Sequence, residues 1–133
     1  MWWVGRYSWL GYFRFPGQTA VAIAVVLLGV LLGVLAIHAF RVADTTVEPL
    51  HPEKTSALVV RGVYRRTRNP MYLGLALILL GWGLYLGSLA SLLGVPAFIL
   101  LIRYLQIEPE EAALESKFGE AYREYCSRIH RWI

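Results

Sequence analysis

The chain has few of the residues on which disulfide-bonded, metal-binding or soluble proteins depend. Its 133 residues include one cysteine, Cys126, which excludes an internal disulfide. The three histidines, His38, His51 and His130, are too scattered in the sequence to suggest a metal site. Only 17% of the residues are charged, whereas 57% are hydrophobic and 14% are aromatic. This composition favours a single membrane domain over residues 1–133 rather than a soluble globule.

Two long stretches contain no lysine, arginine, aspartate or glutamate. The first, Thr19 to Phe40, has 22 residues and as a helix would be roughly 33 Å long, enough to cross a bilayer. It is longer than the apolar part of a signal peptide and lacks a small-residue cleavage site. The second, Met71 to Ile102, is too long for one span and fits two short ones. The predicted fold is therefore an all-α integral membrane protein with about three transmembrane helices, namely one span over 19–40 and a helical hairpin over 71–105.

The segments beside these stretches predict how the chain lies in the membrane. Residues 1–17 combine aromatic side chains with two arginines, which is typical of an interfacial segment. Residues 41–70 form a loop richer in arginine and lysine, so the positive-inside rule places this loop in the cytoplasm. Residues 108–128 repeat apolar side chains at three- and four-residue intervals, which predicts a C-terminal amphipathic helix at the same cytoplasmic face.

Two pairs of glycines, each spaced four residues apart, indicate where helices approach closely. Gly29 and Gly33 lie in the first predicted span, and Gly83 and Gly87 lie in the hairpin. A helix without side chains at such positions allows a neighbouring helix to come near its backbone. We therefore expect packing between membrane helices at these glycines.

Polar residues collect at the two ends of the hairpin. The first group lies in Val60 to Gly74, VRGVYRRTRNPMYLG, and the second lies in Glu108 to Glu111. Because a hairpin returns the chain to the face it left, we expect the two groups to meet there. Taken singly, such arginines also anchor membrane helices, glutamates cap helices and tyrosines line the interface. Together they suit a polar cofactor that meets a lipid-like substrate.

The order and spacing of these residues resemble the isoprenylcysteine carboxyl methyltransferase and phospholipid methyltransferase superfamily. The likeness covers roughly Thr45 to Trp132. Members of this superfamily usually carry a further span in the region of residues 1–17, so the chain departs from the pattern there. The superfamily signature is G-x-Y, R-[HN]-P-x-Y-x-G, E-E and F-G-x-x-Y, which this chain matches with Gly62-Val63-Tyr64, Arg68 to Gly74, Glu110-Glu111 and Phe118 to Tyr122.

The resemblance implies a methyltransferase that uses S-adenosylmethionine (SAM) without a metal. The acceptor would be lipophilic, either the carboxylate of a prenylcysteine-like molecule, a lipid or another small hydrophobic molecule, and the site would face the cytoplasm. No catalytic residue is assigned. Asn69 stands where many members have histidine, so a titrating base is not expected at this position. The implied cofactor-binding residues are Ser56, Ala57, Leu58, Val59, Tyr64, Arg68, Asn69, Pro70, Met71, Tyr72, Glu110 and Glu111.

The acceptor site is expected to include Arg103 and Gln106. Members specific for prenylcysteine have an arginine one helical turn before the glutamate pair, where this chain has Gln106. Arg103 lies three residues earlier, on nearly the same face of a continuous α-helix, and is expected to supply the cation instead. On such a helix both residues would also share a face with Glu110.

Two other functions stay open at this point. A membrane reductase of the sterol-reductase type has a similar Arg-His-Pro-x-Tyr-x-Gly turn and would bind NADPH. The Glu110-Glu111 pair followed by Phe118-Gly119 favours the methyltransferase. A small non-enzymatic transporter or scaffold, built on the glycine faces, would bind neither cofactor. A nucleic-acid partner is not expected, because the arginines flank apolar spans, and the sequence does not define the oligomeric state.

Overall fold

The computed structural model describes residues 11–42 and 58–133, and their regular structure is helical apart from one isolated β-bridge. The all-α prediction is therefore confirmed. Most of the predicted interfacial segment 1–17 and about half of the predicted loop 41–70 lie outside the described residues. The elements are α1 (Gln18–Val42), a 3₁₀ turn (Gly62–Arg65), α2 (Pro70–Leu86), α3 (Leu89–Ile102), a π-helical segment (Arg103–Ile107), α4 (Glu108–Phe118) and α5 (Glu120–Arg128).

Two continuous helices among the described residues are long and apolar enough to cross a membrane. One is α1, with 25 residues, and the other runs for 30 residues through α3, the π segment and α4. Helix α2 is a shorter apolar helix of 17 residues, roughly 25 Å long. Charged residues begin at Arg103, so the apolar helices that could span a membrane are α1, α2 and α3. Many of their large apolar side chains are exposed, as expected for helices in lipid.

Helices α1 and α2 pack closely because glycines face each other across their contact. A Cβ atom on Gly29 would lie 2.5 Å from the carbonyl oxygen of Gly74, and one on Gly74 would lie 2.6 Å from that of Gly29. A Cβ atom on Gly81 would lie 2.8 Å from the carbonyl oxygen of Ala22. In the predicted Gly29 and Gly33 pair, only Gly29 excludes a side chain, since a Cβ atom on Gly33 would meet nothing within 4 Å.

Gly87 has a different role from the helix packing that its spacing from Gly83 predicted. It ends α2 in the left-handed conformation, with φ of 62°. The backbone N–H of Phe13 donates to the carbonyl oxygen of Gly87 at 2.7 Å, and that of Leu89 donates to Gly11 at 3.3 Å. The extended chain before α1 therefore covers the turn between α2 and α3, and a side chain at Gly87 would collide with it.

The amphipathic helix predicted over 108–128 is instead two helices. Helix α4 ends at Phe118 and α5 begins at Glu120, and between them Gly119 has φ of 56° and ψ of −120°. That conformation is accessible to glycine and unfavourable for other residues, so the chain turns at this position. The boundary predicted at Glu108 is not a break, because the π segment joins α3 to α4.

We expect Gly29→Ala to lower the melting temperature of the purified protein in detergent. The added methyl group would lie under 3 Å from atoms of α2, and such overpacking costs about 1–3 kcal/mol. Gly33→Ala is the matched control, because it adds the same group to the same helix in open space. Alanine is favoured over glycine within helices by up to about 1 kcal/mol, so this control should be neutral or stabilising. Equal melting temperatures for the two variants would contradict the packing described here.

Candidate functional site

One short hydrogen bond joins the start of α2 to the start of α4. The hydroxyl of Tyr72, in the first turn of α2, donates to Oε1 of Glu110, in the first turn of α4, at 2.5 Å. The two residues are 38 positions apart in the sequence. Tyr72 is buried and Glu110 is half-buried. The hairpin therefore brings the turn at Arg68 to Gly74 close to Glu110 and Glu111, as the sequence predicted.

Glu110 has an environment that suits a cationic ligand. Its pKa is raised from 4.5 to about 7, because burial and the nearby charge of Glu111 raise it more than the hydrogen bond from Tyr72 lowers it. Among the described residues, no arginine or lysine forms an ion pair with Glu110. A cation bound beside this carboxyl would favour its ionised form.

Glu111, the next residue in α4, is held by two arginines. Its carboxylate oxygens accept hydrogen bonds from Nε of Arg131 at 2.9 Å and from Nη2 of Arg131 at 2.7 Å, which makes a bidentate pair. Nη1 of Arg68 lies 3.4 Å from Oε1 of Glu111, and the glutamate side chain is 17% exposed. The charge of Glu111 is therefore already balanced within the protein, whereas that of Glu110 is not.

The turn before α2 is hydrogen-bonded to the segment after α5. The backbone N–H of Arg68 donates to the carbonyl oxygen of His130 at 3.0 Å. Two side chains donate to the carbonyl oxygen of Arg131: Oγ1 of Thr67 at 3.3 Å and Nδ2 of Asn69 at 3.0 Å. The amide of Asn69 thus makes a structural contact at the position where the resembled family often has histidine.

Aromatic side chains lie beside the glutamates. Tyr64, in the 3₁₀ turn, is buried, and its ring packs edge-on against Phe40 with 5.4 Å between centroids. The hydroxyl of Tyr125 donates to the carbonyl oxygen of Tyr64 at 2.7 Å. Burial raises the pKa of Tyr64 and of Tyr125 above the ordinary value for tyrosine, and the charge of Glu110 raises that of Tyr64 further. Both phenols therefore stay neutral at physiological pH.

The other residues of the implied cofactor site lie nearer α1. Leu58 and Val59 line a cavity of about 470 Å³ between the end of α1 and residues 58–63. Val59 also packs with Tyr64 in a small buried cluster that Met71 covers, and Pro70 is buried at the start of α2. Ser56 and Ala57 lie outside the described residues.

The continuous α-helix on which Arg103 was expected to share a face with Glu110 is interrupted by the π segment. In the π segment the backbone N–H of Glu108 donates to the carbonyl oxygen of Arg103. Nε of Arg103 donates to Oε1 of Glu108, five residues later, at 3.0 Å. A π turn contains one residue more than an α turn. Residues on its two sides therefore share a helix face at a different sequence spacing from that of a continuous α-helix. Gln106, within the same segment, is half-buried.

Sequence reasoning missed the residues after Glu111 that complete the site. Arg131 reaches back across 20 positions to Glu111. Nη1 of Arg68 donates to Sγ of Cys126 at 2.8 Å. No local spacing indicates either contact, because both depend on the direction that the chain takes after Gly119.

The fold is that of a helical membrane protein in which polar residues from two distant segments of the sequence meet at one end of a hairpin. The sequence model of the phospholipid methyltransferase family matches residues 18–121, from the start of α1 into α5. The chain therefore belongs to the phospholipid methyltransferase family, within the superfamily that also contains the isoprenylcysteine carboxyl methyltransferases.

Several proteins are similar to this chain. A probable protein-S-isoprenylcysteine O-methyltransferase of Oryza sativa is 31% identical over 113 residues, which cover 83% of this chain and 58% of the rice protein. A protein-S-isoprenylcysteine O-methyltransferase of Schizosaccharomyces pombe is 33% identical over 76 residues, which cover 57% of this chain and 32% of the yeast protein. An uncharacterized protein of Haemophilus influenzae is 54% identical over 63 residues, which cover 47% of this chain and all of that protein. No solved structure gives a significant match.

The titration of Glu110 predicts a pH dependence of stability. Its pKa is raised in the folded protein, so between about pH 4.5 and about pH 7 the folded state binds the proton more tightly than the unfolded chain. The contribution of this group to stability is therefore present below about pH 4.5 and is lost as the pH rises to about 7. Glu110→Gln still accepts the hydrogen bond from Tyr72 but does not titrate.

We expect the melting temperature of the wild type to fall relative to that of Glu110→Gln as the pH is raised through this range. Glu115→Gln is the control, since Glu115 lies on the same helix with its side chain 54% exposed. Melting temperatures of wild type and Glu110→Gln that change in parallel with pH would contradict the assigned environment of Glu110.

Proposed function

We propose that this protein transfers a methyl group from SAM to a lipophilic acceptor at the membrane face where α2 and α4 begin. One observation carries the proposal: Glu110 is a half-buried carboxyl that is oriented by Tyr72 and has no ion pair among the described residues. Membership of a methyltransferase family supports the reaction class. The charge distribution around 41–70 supports an orientation with this face in the cytoplasm. We propose the inner membrane as the location of the protein.

The residues around Glu110 fit a cationic, partly aromatic methyl donor. SAM carries an ammonium group, ribose hydroxyls and an adenine ring. We assign Glu110 to the ammonium or the hydroxyls, with Tyr72 holding the carboxylate in place. Tyr64 and Met71 contribute an apolar wall beside it. Leu58 and Val59, which line the cavity next to α1, are proposed to contact the adenosine.

Methyl transfer from a sulfonium requires little proton chemistry from the protein. SAM would supply an electrophilic methyl carbon, to which the acceptor atom would bond as the carbon–sulfur bond breaks with its electron pair left on sulfur. A carboxylate or thiolate acceptor needs no base, which agrees with the amide of Asn69 being hydrogen-bonded to the backbone. The contribution of the protein is to hold donor and acceptor in line and to exclude water.

The acceptor proposed here is a prenylcysteine carboxylate or a similar lipophilic acid. The names of the rice and yeast relatives support this class. Arg103 and Gln106 lie between α3 and α4, where a molecule in the membrane would meet the polar face. The side chains of Arg103 and Glu108 are 42% and 39% exposed, and ion pairs this exposed contribute only about 0–1 kcal/mol. An acceptor carboxylate can therefore replace Glu108 as the partner of Arg103.

We expect Glu110→Gln to weaken binding of S-adenosylhomocysteine more than tenfold. A hydrogen bond to a charged group contributes about 1.5–3 kcal/mol, and the amide retains the shape of the side chain without its charge. Titration calorimetry of the purified protein measures the affinity, with Glu115→Gln as a control expected to stay within twofold of the wild type. Wild-type affinity in a folded Glu110→Gln protein would show that this carboxyl only orders the start of α4.

We expect Arg103→Ala to raise the KM for an N-acetyl-S-prenylcysteine at least fivefold while S-adenosylhomocysteine affinity stays within twofold. Glu108→Gln frees the guanidinium of Arg103 and should leave this KM unchanged or lower it. Transfer of a radiolabelled methyl group from SAM to the acceptor measures both effects. Loss of donor binding in a folded Arg103→Ala protein would contradict the assignment of Arg103 to the acceptor.

A further inference from the structure

Arg131 bonds to both elements that form the candidate site. Its guanidinium binds Glu111, which directly follows Glu110 in α4. Its backbone carbonyl oxygen accepts the hydrogen bond from Asn69, which directly precedes α2. A single residue is therefore attached on both sides of the contact between Tyr72 and Glu110.

The ion pair of Arg131 with Glu111 is built differently from the surface pairs of α5. It is bidentate, and its side chains are 26% and 17% exposed. Arg128 pairs with Glu124 on the outer face of α5, where the side chains are 70% and 60% exposed. Exposed pairs are screened by water and change geometry easily, whereas a bidentate, partly buried pair fixes both partners.

The carbonyl of Arg131 is also held on the side of α2. Thr67 and Asn69 both donate to it, and the backbone of Arg68 donates to the preceding carbonyl, that of His130. Three consecutive residues before α2, Thr67, Arg68 and Asn69, thus donate hydrogen bonds to the carbonyl oxygens of residues 130 and 131. Loss of the Arg131 side chain would remove the link between Glu111 in α4 and the carbonyl group to which Thr67 and Asn69 donate.

We infer that Arg131 is a positioning residue for methyl-donor binding, because it holds the start of α2 against the start of α4 so that Tyr72 and Glu110 face the ligand together. The inference rests on the proposed function and adds to it. Glu111 and Asn69, which the resemblance implies as cofactor ligands, are assigned instead to this support. Arg131 itself contacts no donor in this account.

The role has a pH signature that simple destabilisation lacks. The groups that shift the pKa of Glu110 are Tyr72 and Glu111, and Tyr64 lies near enough for its own pKa to be raised by the charge of Glu110. Arg131 and Arg68 together balance the charge of Glu111. Removing Arg131 leaves that charge less balanced, which raises the pKa of Glu110 and moves the pH midpoint of donor binding upward. Glu111→Gln removes the charge itself, so it moves the midpoint downward.

The test is titration calorimetry with S-adenosylhomocysteine over a range of pH, using the full chain in detergent. Arg131→Ala is expected to weaken binding at least tenfold and to raise the pH midpoint. Arg131→Lys keeps the charge without the bidentate geometry, so it should restore part of the affinity and most of the midpoint. Arg128→Ala, the matched control on the outer face of α5, should stay within twofold of the wild type.

The outcomes separate this inference from the proposed function. Wild-type affinity and midpoint in Arg131→Ala would overturn the inference and leave the proposed function standing. If Arg131→Ala does not fold, Glu111→Gln decides, since it keeps the carbonyl contacts of Arg131. Weaker binding with a lower midpoint in Glu111→Gln supports the inference, and unchanged binding overturns it. A wild-type protein that binds no S-adenosylhomocysteine overturns the proposed function and the role of Arg131 in donor binding with it.

Discussion

The hydrogen bond between Tyr72 and Glu110 is the contact on which the candidate site depends, because it joins two helix starts that lie 38 positions apart in the sequence. Other parts of the fold bring its two ends together. Glycine contacts between α1 and α2 fix the helix that carries Tyr72. The π segment continues α3 into α4 and thereby sets the direction of Glu110. The chain after α5 returns to both helices through Arg131.

The two adjacent glutamates show how environment gives identical side chains different roles. Glu111 faces two arginines, so its charge is balanced and its geometry is fixed. Glu110 faces a phenol and the charge of its neighbour, and burial raises its pKa towards neutrality. A cationic ligand strongly stabilises the ionised form of a carboxyl whose pKa is raised, whereas it adds little stabilisation to a carboxylate that is already paired. Both glutamates belong to the same E-E motif, so the motif alone does not distinguish their roles.

The parts of this fold that could be predicted from sequence follow from length, charge and hairpin geometry. A charge-free stretch too long for one span requires a hairpin, and a hairpin returns its ends to one face, so the meeting of Tyr72 with Glu110 was predictable. The π segment has no sequence signal as clear as a hydrophobic period, so the interruption of the α-helix between Arg103 and Glu110 could not be predicted. Gly119 was part of a recognised motif, but the regular apolar spacing around it concealed the helix break. Arg131 could not be placed without knowing that turn.

In the proposed function, the residues around Glu110 bind a methyl donor rather than a nicotinamide cofactor or no cofactor. Parallel calorimetric titrations of the purified wild-type protein with S-adenosylhomocysteine and with NADPH test it most directly. We expect saturable binding of S-adenosylhomocysteine at one site per chain and no heat of binding with NADPH. Binding of NADPH without S-adenosylhomocysteine would indicate a reductase built on the same turn. Binding of neither would contradict an enzymatic cofactor site at this end of the hairpin.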